Sequence, residues 1–153
     1  VIECYDIAIW QGTSPTASQV VFVDGRASKA DYRYYHLDVR MEGNNDFAMM
    51  KEVLTRRLKK GKLPDLILID GGKGQFSTVE KILAELSIVI PLVALAKEKD
   101  GKKERVFLAA TGQALDLDYS KPGAKILMQI RDEAHRFSRK LHHHAEKKRI
   151  LGI

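Results

Sequence analysis

Three residues have the types and the surroundings that chemistry would need. Asp6 comes near the end of an apolar, aromatic opening run, residues 1–9. Asp70 closes residues 65–70 (DLILID), a short continuous apolar run of the kind that forms a strand buried on both faces. His135 lies in IRDEAHRF (130–137), a stretch with helical spacing. If the strands ending in Asp6 and Asp70 are neighbours, about 4.8 Å apart, their carboxylates project together. They would do so at the sheet edge where open α/β folds place ligands. Two such carboxylates repel unless a divalent cation neutralises them, and hard oxygen donors with room for water suit Mg²⁺ or Mn²⁺. Plain structural uses fit the same residues: Asp70 as a turn cap and Asp6 as a strand-end acid.

The segment after Asp70, Gly71-Gly72-Lys73-Gly74-Gln75, lacks the spacing of a nucleotide-binding P-loop. Its glycines allow close backbone approach, and the helix that follows offers its first amides to a phosphate. Lys73 could then offset phosphate charge beside the metal. His135, three residues after Asp132, sits at the edge of an apolar stripe. There it can position water, move a proton or bind metal, or it can simply pair with Asp132 on the helix surface. His142, His143 and His144 spread over about 200° of a helix, so they form a polar face and not one metal site. Tyr32, Tyr34 and Tyr35 alternate with Arg33 and suit either base stacking or ordinary strand packing.

The elements that must position these residues follow from periodicity. Strands are expected at 1–9, 17–23 and 29–37, with Asp24-Gly25 as a hairpin turn, giving an antiparallel meander. Asn45 caps a helix running to about residue 60, with Phe47, Met50, Val53, Leu54 and Leu58 on its apolar stripe and Gly61 and Pro64 ending it. The buried strand 65–70 leads into a helix that buries Phe76, Val79, Ile82, Leu83 and Leu86. Another buried strand is expected at 91–97, then a charged hairpin tip around Asp100-Gly101 with arms at 106–108 and 114–117. A long helix from 124 to about 149 carries the stripe Ile126, Ile130, Ala134, Phe137, Leu141 and Ala145. The order β-β-β-α-β-α-β-hairpin-α is the connectivity of a ribonuclease H-like α/β fold, a mixed five-stranded sheet with three antiparallel strands, then parallel βαβ, flanked by helices.

The chain has 153 residues, the size of one domain, and is 44% hydrophobic and 30% charged, which suits a packed core and argues against disorder. No apolar run reaches the roughly 18 residues of a membrane span. The single cysteine, Cys4, fits a reducing, cytoplasmic setting. The net charge of +6 is concentrated in residues 121–153, which hold 9 Lys/Arg against 3 Asp/Glu. A neutral body with a basic tail at about 138–153 points to an anionic partner, nucleic acid before membrane. The absence of an initiating Met suggests a domain cut from a longer protein.

Six blocks carry a family resemblance: IECYDI (2–7), ASQVVF (17–22), DYRYY (31–35), DFAMM (46–50), PDLILIDGGKGQ (64–75) and IRDEAHRF (130–137). Together they closely resemble the C-terminal endonuclease domain of UvrC, the incision subunit of bacterial nucleotide excision repair. The resemblance implies a ribonuclease H-like nuclease using Asp6, Asp70 and His135. Such a domain makes the 5′ incision beside a lesion, while a separate domain cuts on the 3′ side. It further implies damaged double-stranded DNA and, for the full-length protein, the UvrB–DNA complex as partners, with a monomeric fragment. Ile7-Ala8-Ile9-Trp10, Asn45-Asp46 and His142-His143 depart from the family's usual residues.

The expected activity is therefore metal-dependent hydrolysis of a DNA phosphodiester, with Asp6 and Asp70 as metal ligands and His135 as proton-transfer partner. Lys73, Asp46 and Glu133 are supporting candidates, and Asp46 would serve equally well as a helix N-terminal acid. Lys73, Arg136, Arg139, Lys140, Lys147, Lys148 and Arg149 are candidates for contact with DNA. The competing readings are a non-catalytic nucleic-acid platform and a nuclease of the endonuclease V kind.

Overall fold

The computed structural model describes residues 1–8, 15–37, 46–97, 104–108, 114–116 and 118–152. The expected cap Asn45, the hairpin tip at Asp100-Gly101, Leu117, and Ile9 and Trp10 of the departing segment lie outside these residues. Eight strands and three α-helices follow in order: β1 (Ile2–Ala8), β2 (Thr16–Val23), β3 (Arg26–Ala27), β4 (Arg33–His36), α1 (Asp46–Leu58), β5 (Leu66–Asp70), α2 (Lys73–Glu85), β6 (Leu92–Lys97), β7 (Glu104–Leu108), β8 (Ala114–Asp116) and α3 (Pro122–Leu151). The sheet order is β3-β2-β1-β5-β6-β7-β8, with β4 also on β2. β1 runs antiparallel to β2 and parallel to β5, and β5 runs parallel to β6. This is the ribonuclease H-like arrangement expected from the pattern.

The sheet differs from the expected five strands in two places. The small hairpin does not stand apart: β7 pairs antiparallel with β6, taking up its open edge, and β8 pairs with β7. The expected third strand, 29–37, is interrupted by a single 3₁₀ turn at Lys29–Asp31. There the Ser28 hydroxyl donates to Asp31 (2.6 Å) and Arg33 Nη1 donates to the carbonyls of Ala30 and Tyr32. The chain therefore meets β2 twice, as β3 against Phe22 and Val23 and as β4 against Thr16 to Gln19. Asp24 (φ 51°) and Gly25 (φ 79°) both adopt positive φ between β2 and β3, as a tight primed hairpin turn requires.

Alternation along the strands divides the core in two. On one face Tyr5, Ala17, Ile67, Ile69, Leu92 and Ala94 meet α1 and α2 through Met49, Val53, Leu54, Leu58, Phe76, Val79, Ile82 and Leu83. On the other, Cys4, Val20, Phe22, Leu68 and Leu95 pack beneath Ile130 and Ala134 of α3. Of the stripes read from spacing, Val53, Leu54, Leu58, Phe76, Val79, Ile82, Leu83, Ile130 and Ala134 are buried, with Met49 added, whereas Phe47, Met50, Leu86, Ile126, Phe137 and Leu141 are half-buried and the Ala145 side chain lies outside the described residues. A buried ion pair ties β1 to α1: Glu3 accepts from Arg57 Nε (2.9 Å) and Nη2 (2.5 Å), and from the Tyr5 hydroxyl. Among the described residues none after Ser138 is buried, so the last turns of α3 run on as an exposed basic helix.

Candidate active site

The register brings the two aspartates together. Tyr5 of β1 pairs with Ile69 of β5 in a parallel ladder, so the next residues, Asp6 and Asp70, lie side by side at the strands' C-terminal ends. Both alternate onto the face covered by α3, the face of Cys4 and Leu68. The row continues across the sheet: Ser18 is opposite Asp6, Tyr34 opposite Ser18, and Leu95 opposite Asp70. α3 crosses above this row and supplies the third residue, because His135 Nε2 is in hydrogen-bond contact with Asp70 Oδ2. The imidazole is 41% exposed and the Asp70 side chain 32%, so the pair opens to solvent while Asp6 is more enclosed.

Burial raises the Asp6 carboxyl above the usual aspartate range, and the negative charge of Asp70 adds to the effect. A hydrogen bond from the Ser138 side chain, the proximity of His135 and the Ile7 backbone amide oppose it. Cys4 lies two residues earlier on the same face, fully buried, and its thiol is driven upward by desolvation and by the two aspartates. It stays neutral, which removes it as a nucleophile. Ser18 is buried, and its hydroxyl has no hydrogen-bond partner among the described residues. An unpartnered hydroxyl thus lies opposite Asp6 on the neighbouring strand β2.

The turn after Asp70 is built for close backbone approach. Gly71 has φ +152°, and a Cβ there would come within 2.8 Å of Gln75 Cγ. The Gly71 amide donates to the Leu95 carbonyl (2.9 Å), and the Gly72 amide donates to Gln75 Oε1 (3.2 Å), closing the first turn of α2. Lys73 is the first residue of that helix and is exposed. The α2 N-terminus therefore begins three residues past Asp70 with a cation at its tip.

Other candidates are placed elsewhere. His135 does not pair with Asp132, which instead contacts Arg131 (3.4 Å). Glu133 accepts from Arg136 Nε (2.8 Å) and Nη2 (2.5 Å) and from the Tyr32 hydroxyl (3.1 Å). The Arg136 guanidinium holds the Glu133 carboxyl below its usual range, so this acid serves a network on the flank of α3. Arg136 is engaged there as well. Asp46 opens α1, but its side chain lies outside the described residues, as does that of Arg149. Arg139, Lys140, Lys147 and Lys148 are exposed along α3. His142 pairs with Glu146 (3.4 Å), and among the described residues no group of three His, Cys, Asp or Glu side chains is placed to hold a metal ion.

The tyrosines mostly pack. Tyr32 meets Phe137 edge-on (5.0 Å between centroids), its hydroxyl raised to about 12 by burial and Glu133. The Tyr35 hydroxyl donates to Gln19 (2.7 Å), while Tyr34 remains 37% exposed on the aspartate face. Sequence reading did not single out Ser138 or Ser18. The signal for Ser138 was its spacing, three residues after His135 on a helix; for Ser18 it was strand parity. Neither identifies a partner without the fold.

Residues 1–138 match the family model of the UvrC RNase H endonuclease domain. UvrABC system protein C of Prosthecochloris aestuarii is 44% identical over 155 residues, covering 98% of this chain and 24% of that protein. The Flavobacterium psychrophilum protein of the same name is 43% identical over 158 residues, covering 99% and 26%. The chain thus spans about a quarter of the length of these relatives. A crystal structure of human ENDOV aligns with 63% of this chain and 45% of its own, at 17% identity and a TM-score of 0.38. With residues 1–138 matched and relatives above 40% identity along nearly its whole length, the chain belongs to the UvrC RNase H endonuclease domain family.

Proposed function

We propose that this domain hydrolyses a DNA phosphodiester with Mg²⁺ or Mn²⁺ held by Asp6 and Asp70, and that in its full-length protein it makes the 5′ incision beside a lesion. The observation that carries the reading is the meeting of Asp6, Asp70 and His135, from three distant parts of the chain, at one sheet edge. The donor set fits a hard cation. Mg²⁺ keeps several waters and is commonly held by one or two carboxylates plus substrate phosphates, so a full protein cage is not needed. The Ser18 hydroxyl, opposite Asp6 on β2 and without a hydrogen-bond partner among the described residues, is a further polar group beside the pair. When bound, the cation would stabilise charge on the phosphate and make water a stronger acid.

The chain's own residues do the rest. His135 orients Asp70 through Nε2, and its exposure leaves it free to accept or deliver a proton at the scissile group. Lys73 and the first amides of α2 offset phosphate charge. Arg139, Lys140, Lys147 and Lys148 supply sequence-independent attraction to the duplex backbone. Partners are damaged double-stranded DNA and the UvrB–DNA complex; products carry a 3′-hydroxyl and a 5′-phosphate. Among the described residues no helix is long and apolar enough to cross a membrane.

Incision of a lesion-bearing duplex by the full-length protein with its partner proteins tests this reading. Asp6→Ala or His135→Ala should reduce 5′ incision by about 10² or more and leave 3′ incision intact. Equal loss of both cuts would refute it. Full 5′ activity in Asp6→Ala, with DNA binding carried by the exposed cations of α3, would favour a non-catalytic platform.

A further inference from the structure

We infer that Tyr34 and His36 form a stacking shelf for an unpaired nucleobase of the DNA strand held at the carboxylate pair. The inference rests on the reading that Asp6 and Asp70 mark the cutting site. Strand register carries it. Ser18 of β2 lies opposite Asp6 of β1 and opposite Tyr34 of β4, so the three side chains leave one face of the sheet. His36 shares that face, two residues along β4 and opposite Thr16. With neighbouring strands about 4.8 Å apart, the Tyr34 backbone stands about 10 Å from that of Asp6. At about 3.4 Å per base step, a strand with one phosphate at the carboxylates brings a base to the shelf within about three steps.

The shelf is open where the rest of this face is closed. α3 packs over β1 and β2, and Ser18 and Thr16 are buried. One strand farther out, on β4, Tyr34 is 37% exposed and His36 is exposed. The two neighbouring tyrosines are engaged by the fold: Tyr32 donates to Glu133 and meets Phe137, while Tyr35 donates to Gln19 and lies beneath the Arg56 guanidinium. Tyr34 meets the His36 ring edge to face, with centroids 4.7 Å apart and planes at 80°. Such a contact sets the direction of the ring and uses at most one of its two faces. Arg56 Nη1 donates to the His36 carbonyl (2.6 Å), which ties the end of β4 to α1 and holds the shelf in place. A fixed aromatic surface beside a cutting site is the chemistry on which bases stack, whatever their sequence. A base reaches it only after leaving the duplex stack, so the shelf selects DNA that is locally opened beside the scissile phosphate.

Fluorescence anisotropy of a labelled oligothymidylate single strand with the 153-residue chain tests this. Tyr34→Leu keeps apolar bulk without an aromatic face and should weaken single-strand binding by about fivefold or more. Tyr34→Phe should bind as the wild type does. The substitution removes no cation, so the slope of log affinity against log salt should stay the same. Affinity for a fully paired duplex should not change. Unchanged single-strand affinity in Tyr34→Leu, or no single-strand binding by the wild type, overturns the shelf. Equal loss on duplex and single strand overturns it too, because stacking needs an unpaired base. A Phe variant as weak as the Leu variant would assign the loss to the hydroxyl and overturn stacking. In the full-length protein with its partner proteins, Tyr34→Leu should slow 5′ incision and spare the 3′ cut. If Asp6→Ala loses the 5′ cut while Tyr34→Leu keeps it at the wild-type rate, the shelf falls and the cutting site stands. If Asp6→Ala keeps the 5′ cut, the cutting site fails and takes this inference with it.

Discussion

Replacing Arg57 with alanine should destabilise the domain severely while sparing the aspartate pair. The Glu3 side chain is 2% exposed and its Arg57 partner 16%. Arg57 reaches one Glu3 oxygen through Nε and Nη2, and its Nη1 and Nη2 donate to the carbonyls of Lys60 (2.8 Å) and Lys62 (2.9 Å). Truncation would leave the buried carboxylate with the Tyr5 hydroxyl and no counter-charge. Removing one partner of a buried pair costs about 3–5 kcal/mol, because the remaining charge has lost both water and its neutralising group. A domain of this size has about 5–15 kcal/mol in total, so about a fifth or more is at stake. At about 2–4 °C per kcal/mol, the melting temperature should fall by about 6–20 °C. Scanning calorimetry reads this directly, and a Glu3→Leu/Arg57→Met double variant should recover most of the loss by burying no charge at all. Glu3 alternates onto the α1 face, opposite Asp6, so Mn²⁺ affinity below the melting transition should not change. A drop of less than about 2 °C in Arg57→Ala would refute the claim that this pair clamps α1 to β1.

Two further outcomes follow from the site and the tail. Because burial holds the Asp6 carboxyl above its ordinary value, ionising it costs folding free energy. That cost is absent below the unfolded value of about 3.9 and fully present once pH exceeds the raised folded value. Asp6→Asn should therefore raise the melting temperature at neutral pH in chelator and leave it unchanged near pH 3; an unchanged neutral-pH value would refute the desolvation argument. Replacing Arg139, Lys140, Lys147 and Lys148 by glutamine should weaken duplex binding regardless of sequence. It should also flatten the plot of log affinity against log salt by about 0.9 for each phosphate no longer neutralised, measurable by fluorescence anisotropy.

Much of this architecture was legible from residue order, because its determinants are local. The continuous apolar run in DLILID carries the signature of a strand buried on both sides, and the spacing of Val53, Leu54 and Leu58 places them on one face of a helix, where the core meets them. Parity then placed Asp6 with Cys4 and Asp70 with Leu68, so two carboxylates on one face followed once the strands were neighbours. The interrupted third strand was not legible, because a bond from Ser28 to Asp31 and the reach of Arg33 decide where that segment leaves the ladder.

Which partner each polar group would take belonged to the tertiary structure. Helical spacing offered His135 the nearby Asp132, and only the docking of α3 over the parallel strands gave it Asp70. Glu133, within the same motif, went instead to Arg136 and Tyr32. Periodicity determines the face on which a side chain emerges. The partner it meets depends on how distant elements register and pack, and that is settled by burying the whole core at once.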